Sequence, residues 1–109
     1  MAYDEELADR VRELVPRRGV TEKRMFGGLA MLLNGNMAVV IRSKGGLLVR
    51  VDQGEFDVAQ AEPGAAQAVM RGRPMRGWMT VGPAGCATDA DLERWVARGV
   101  SCARALPKK

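Results

Sequence analysis

Three short apolar stretches separated by glycine-bearing corners, Leu29–Leu33, Met37–Arg42 and Leu47–Val51, constrain the fold of this chain more than any other feature. The corners are Asn34-Gly35 and Gly45-Gly46, pairs that tolerate the positive φ of a tight hairpin turn. The segment therefore reads as a three-stranded antiparallel meander. In its second strand Met37, Val39 and Ile41 share one face and Ala38 and Val40 the other, while the third sets Leu47, Val49 and Val51 against Leu48 and Arg50. The Ala38, Val40 and Leu48 face is too apolar to be left wet, so either a helix or another subunit is expected to cover it.

Helical periodicity flanks the meander. Leu7, Val11, Leu14 and Val15 recur at helical spacing behind Asp4, a suitable N-cap, with acidic residues in the first turn and basic ones toward the end. Asp52 followed by Glu55 opens a short helix that Pro63-Gly64 stops, and Thr88 with Asp91 opens a last one. The apolar stripe of that last helix is Leu92, Trp95, Val96, Gly99, Ala103 and Leu106, and Gly99 inside it implies close approach to a neighbouring backbone. Helices are thus predicted at residues 4–15, 53–62 and 89–106. Two further strands, Gln67–Met70 and Gly77–Val81, are joined by an arginine-rich corner. The predicted order is α-β-β-β-α-β-β-α, a two-layer α+β fold with helices packed on a mostly antiparallel sheet.

At 109 residues the chain suits a single domain, residues 1–109, with one core. Its 47% hydrophobic and 28% charged content places it among soluble globular proteins. Apolar runs such as Leu29–Leu33 fall far short of the roughly 20 residues that cross a bilayer, and the acidic N-terminus does not resemble an export signal. A cytoplasmic location and no membrane partner are the expectation. Cys86 and Cys102 form no C-x-x-C pair and the chain has no histidine, which argues against a zinc site and leaves both as expected free thiols. No cofactor or metal is expected.

The net charge of +4 is unevenly spread. Residues 10–51 carry Arg10, Arg12, Arg17, Arg18, Lys23, Arg24, Arg42, Lys44 and Arg50 against only Glu13 and Glu22, whereas residues 1–9 and 52–62 are acidic. Such segregation marks either an electrostatic footprint for nucleic acid or an acidic protein, or the placement of carboxylates at helix N-termini. Without histidine, a general base would have to be a carboxylate, lysine, tyrosine or activated cysteine, and most carboxylates fall on the polar faces of predicted helices. The glycine pairs match no phosphate-binding pattern. No catalytic residue is assigned.

Two motifs remain. Arg71-Gly72-Arg73-Pro74-Met75-Arg76-Gly77-Trp78 is open to two readings: Arg71, Arg73 and Arg76 gripping phosphates or carboxylates with Trp78 as an anchor, or Met75 and Trp78 as core residues around glycine-permitted turns. Lys23 and Arg24, just before Met25-Phe26-Gly27-Gly28, are further candidate contacts to a partner or to nucleic acid.

Together the two motifs resemble the N-terminal domain of the TfoX/Sxy family, bacterial proteins associated with the regulation of competence genes. The resemblance covers nearly the whole chain and implies the same element order. It assigns Met25, Phe26, Gly27, Gly28, Gly72, Pro74, Met75, Gly77 and Trp78 to the fold's signature rather than to an active site. Longer members carry a second, C-terminal domain and act alongside another transcription factor; the present sequence, ending at Lys109, is expected to lack that domain. The implied function is a non-enzymatic regulatory or adaptor module working through protein contacts, with an unidentified protein partner, a transcription factor by analogy. A homodimer through the Ala38, Val40 and Leu48 face, or along an edge strand, is also expected. The alternatives are a weak, nonspecific DNA binder using the basic residues, and a small-ligand protein or enzyme with its site at the arginine-rich corner.

Overall fold

Turn chemistry closes the meander at the corners the glycines mark. In the computed structural model, which describes residues 3–25 and 27–108, Asn34 (φ 53°) and Gly35 (φ 84°) join one strand, Gly28–Leu33, to the next, Asn36–Ile41. Gly45 and Gly46, also at positive φ, lead into Leu47–Arg50. An additional strand, Val20–Met25, precedes these three and pairs antiparallel along the first of them, from Val20 opposite Leu33 to Met25 opposite Gly28. In chain order the four are β1 to β4. The expected order thus gains one strand and becomes α-β-β-β-β-α-β-β-α. Thr21, Glu22, Lys23 and Arg24 are all exposed, so β1 carries no apolar alternation; it is an edge strand held by backbone pairing, and its charges blunt the edge.

The arginine-rich stretch also differs from expectation, being strand rather than corner. Strand β5, Ala65–Met70, and strand β6, Arg73–Val81, meet at a two-residue turn made by Arg71 (φ 53°) and Gly72 (φ 78°). Their register slips between Gln67 and Val69. The Gln67 side chain repairs the gap: its Nε2 donates to the carbonyl oxygens of Ala68, Met75 and Trp78 at 3.0, 2.8 and 3.2 Å. The six strands of the described residues form one antiparallel sheet in the order β1-β2-β3-β4-β6-β5.

Helix α1 spans Glu5–Leu14, with Asp4 Oδ1 accepting from the Leu7 N–H at 3.1 Å. A 3₁₀ turn, Gln53–Glu55, leads into the short α2, Phe56–Gln60. Helix α3, Asp89–Arg104, is capped by Thr88, whose Oγ accepts from the Asp91 N–H at 3.1 Å. Among the described residues all three helices pack on one face of the sheet, burying Leu7, Val11, Ala59, Leu92, Trp95 and Val96 against Met31, Val39, Ile41, Leu47, Val49 and Met79. At Gly99, α3 comes so close to β3 that a Cβ would lie 2.6 Å from the Ala38 carbonyl oxygen and 2.8 Å from Val39 Cγ2.

That contact accompanies a bulge. Met31 pairs with Val39 but Leu32 with Met37, which leaves Ala38 as an extra residue in β3. Ala38 therefore joins Val39 on the helix side, and Met37 joins Val40 on the opposite side, correcting the strict alternation read from sequence. The opposite face carries a second apolar cluster of Ala30, Val40, Leu48 and Ala68, flanked by half-buried Met25, Leu32, Met37, Met75 and Trp78. No helix packs on it among the described residues.

Ion pairs tie the helix layer together. Arg12 joins Glu22 of β1 at 2.6 Å, Arg10 reaches Asp89 at 3.0 Å, and Glu62, in the turn after α2, takes Arg94 at 2.6 Å together with Arg98. Hydrogen bonds from Arg94, then from Arg98, hold the Glu62 carboxyl below the usual carboxylate range against the opposing effect of its partial burial.

Two stability outcomes follow. Alanine at position 99 gains about 1 kcal/mol of helix propensity, but its methyl group meets a backbone carbonyl that cannot rotate away, an overpacking cost of roughly 1–3 kcal/mol. Gly99→Ala is therefore expected to lower the urea midpoint; a raised midpoint would show that α3 can back away from β3. For Glu62, a folded pKa below the unfolded one means that its contribution is complete above the unfolded value, near 4, and is lost as pH falls through the folded one. Glu62→Gln should cost about 1 kcal/mol at pH 7, or ~4 °C in Tm. The gap from the parent protein should narrow toward pH 3 in thermal melts, and a gap independent of pH would rule out the ion pairs as its source.

Candidate functional site

The face of the sheet turned away from the helices holds a groove of about 170 Å³, and the strand register explains its lining. Directly opposed residues on antiparallel strands share a face. Val40 pairs with Leu48 and Leu48 with Thr80, so β3, β4 and β6 all contribute to one floor. Beyond them lie Met75 and, from β5, Ala68. One wall is the end of β3 and its turn, Arg42, Ser43 and Lys44; the other is Val69 and Met70, near the tip of the β5–β6 hairpin. Val69 is 60% exposed and Met70 39% exposed, an unusual degree for apolar side chains beside a groove.

The candidate contact residues fall in different places. Lys23 pairs with Ala30 and so shares the open face, whereas Arg24 pairs with Leu29 on the helix side of the edge strand. Arg71 stands exposed at the hairpin turn, and Arg73, opposite Met70, lies beside the groove. Arg76 lines a separate depression with Gln53, Phe56 and Asp57, by the start of α2. The three arginines are therefore not a single grip: within an extended strand, residues 75 and 76 project to opposite sides of the sheet.

The signature residues serve the sheet. Met75 and Trp78 pack on the open-face cluster, and the Arg50 guanidinium lies 4.8 Å over the Trp78 ring. A Cβ at Gly28 would sit 2.1 Å from the Ile41 carbonyl oxygen, so its role is close strand approach rather than phosphate binding. Gly72 forms the hairpin turn, Pro74 pairs with Val69, Gly77 takes positive φ within β6, and Gly27 does so just before β2. Phe26 lies outside the described residues.

Charge divides across the sheet. Of the thirteen carboxylates, twelve belong to helices, helix caps or the turn after α2, and Glu22 pairs with Met31 on the helix-facing side. The open face instead carries Lys23, Arg42, Lys44, Arg50 and Arg73. Arg42, Lys44 and Arg50 count toward the basic excess of residues 10–51, but only alternation carried through the Gly45-Gly46 turn assigns Arg42 and Arg50 to the Val40 and Leu48 side.

Elsewhere the titratable groups are structural partners. Arg12 holds the Glu22 carboxyl low, and Arg94, then Thr88, does so for Asp91. Burial raises the thiols of Cys86 and Cys102, which keeps both protonated near neutrality and weakly nucleophilic. Among the described residues no three His, Cys, Asp or Glu side chains cluster to hold a metal ion, and no helix is long and apolar enough to cross a membrane.

The sequence matches the family model described as TfoX N-terminal domain over residues 12–103, which takes in all six strands and nearly all of α3. No curated protein matches the chain. The two motifs on β1–β2 and β5–β6 fall inside the matched span, and the chain belongs to the TfoX N-terminal domain family.

Proposed function

We propose that the chain is a non-enzymatic regulatory or adaptor module of the bacterial cytoplasm that works through protein contacts made by the open face of its sheet. The observation that carries this reading is an apolar face ringed by cations, with every helix among the described residues on the opposite side. An antiparallel sheet tolerates one solvated face when that face is polar. Here the residues at its centre are Val40, Leu48 and Ala68. Membership of the TfoX N-terminal domain family supports placing the module in transcriptional control, competence genes among its targets, with a transcription factor as partner.

The enzyme alternative finds little support in the groove itself. At about 170 Å³ it is smaller than the roughly 300–1,000 Å³ typical of small-molecule sites, and the depression lined by Arg76, at about 310 Å³, reaches only the lower end of that range. A homodimer of this chain would be built along an outer strand, β1 or β5, because two-fold pairing of the open face sets its lysines and arginines against themselves.

Affinity capture from native lysate should return a discrete protein in stoichiometric amount, and the purified chain should turn over no substrate. An empty capture, or turnover that survives repurification, would overturn the reading. The cations of the open face favour nucleic acid as the second reading. Binding to unrelated DNA duplexes should be weak, alike on all of them, and should fall steeply between roughly 50 and 200 mM salt, since phosphate contacts carry no sequence information. Tight, sequence-selective binding in anisotropy titrations would put that second reading first.

A further inference from the structure

Resting on the protein-contact reading, we propose that the open face is a docking site for an acidic amphipathic helix of the partner. The apolar stripe of that helix lies over Val40, Leu48, Ala68 and Met75, and its carboxylates meet Arg42, Lys44 and Arg73.

Charge complementarity carries the assignment. On the helix side Arg10, Arg12, Arg94 and Arg98 each have a carboxylate partner. Among the described residues no ion pair involves Lys23, Arg42, Lys44 or Arg73, and no strand carboxylate lies on their face. Cations around a dry floor match an occupant that supplies both apolar groups and negative charge. The floor has the dimensions of a helix face. It runs across β3, β4, β6 and β5, three strand spacings or about 14 Å, close to two and a half helical turns at roughly 5.4 Å each. Anchors at i, i+3, i+4 and i+7 span about 10.5 Å of that distance, and a further anchor at i+11 carries the stripe past its far edge. The floor is also adaptable: Met25, Met37, Met70 and Met75 lie in or around it, and methionine reshapes to fit different apolar partners. A docked helix would give the sheet the second covering layer that α3 supplies on its other side.

Single-stranded nucleic acid fits less well. Nucleobases bind sheets by stacking on exposed rings. Among the described residues Trp78 is the aromatic residue on this face, and Arg50 lies over its ring.

The test uses the full chain and a fluorescently labelled synthetic 18-residue peptide of Leu, Phe, Ala and Glu with its apolar residues at helical i, i+3, i+4 and i+7 spacing. Anisotropy should give a Kd on the order of 10 μM at low salt, and amide resonances of Val40, Leu48, Ala68 and Met75 should shift. A peptide of the same composition with the stripe scrambled, and one with Glu replaced by Gln, should each bind about tenfold more weakly or worse. Lys44→Glu with Arg73→Glu, both at exposed positions, should weaken binding of the parent peptide to the same degree while leaving the circular dichroism spectrum unchanged. Equal affinity for the scrambled peptide, insensitivity to the charge reversal, or shifts confined to the helices would overturn the proposal. So would tighter binding of oligo(dT) at the same resonances, or a dimer by light scattering whose dissociation on dilution shifts the resonances of Val40, Leu48 and Ala68. If the peptide fails while lysate capture returns a partner equally with parent and charge-reversed chains, docking lies elsewhere and the protein-contact reading stands; if both fail, that reading falls too.

Discussion

The close approach of α3 to β3 at Gly99 organises the molecule. With no side chain at that position, the helix settles directly over the Ala38 carbonyl and drives Trp95 into the centre of the core, fully buried. The bulge in β3 turns Ala38 toward the helix and Met37 away from it, so the strand is shaped to receive the helix there. Arg98, one residue before Gly99, lies 4.6 Å over the Trp95 ring and also pairs with Glu62, linking the core helix to the turn that precedes β5.

Concentrating the helices on one side has an electrostatic consequence. Carboxylates favour helix N-termini and caps, where the backbone N–H groups are unsatisfied and the dipole is positive. Once Asp4, Asp52 and Asp91 are committed to helix starts, the acidic residues travel with the helices to one face of the sheet. Arg10, Arg12, Arg94 and Arg98 of that layer are neutralised there. Among the described residues, cations in the strands and hairpin turns of the opposite face are left without counterparts, beside an apolar floor that no helix covers. The asymmetry of the fold and the asymmetry of charge have one origin, and together they define the surface proposed for partner recognition.

Much of the architecture is legible in the chain because local rules and tertiary packing agree. The hairpin corners at Asn34-Gly35 and Gly45-Gly46, the caps at Asp4, Asp52 and Thr88, and the stripe of α3 each follow from short-range stereochemistry. The tight contact at Gly99 is legible for a similar reason: glycine is costly inside a helix unless something needs the space. Strand β1 is not legible, since Thr21, Glu22, Lys23 and Arg24 are exposed and an edge strand without a buried face leaves no period-two pattern. The stretch from Arg73 to Trp78 misleads because its Pro, Gly and Arg content is that of a loop, whereas a register slip held by Gln67 lets it run as strand.

By itself, the sequence determined the α+β class, the hairpins and their corners, the helix starts, the family signature, and the fact that one sheet face is too apolar to be bare. Those depend on neighbouring residues, turn geometry and side-chain period. Only the tertiary structure decided which face that is, that Ala38 leaves it and Met37 joins it, that Arg76 is parted from Arg71 and Arg73, and that Arg42 and Lys44 line a common floor beside which Arg73 lies, opposite Met70. Those depend on register, and a single extra residue in a strand reverses the side on which the residues beyond it project.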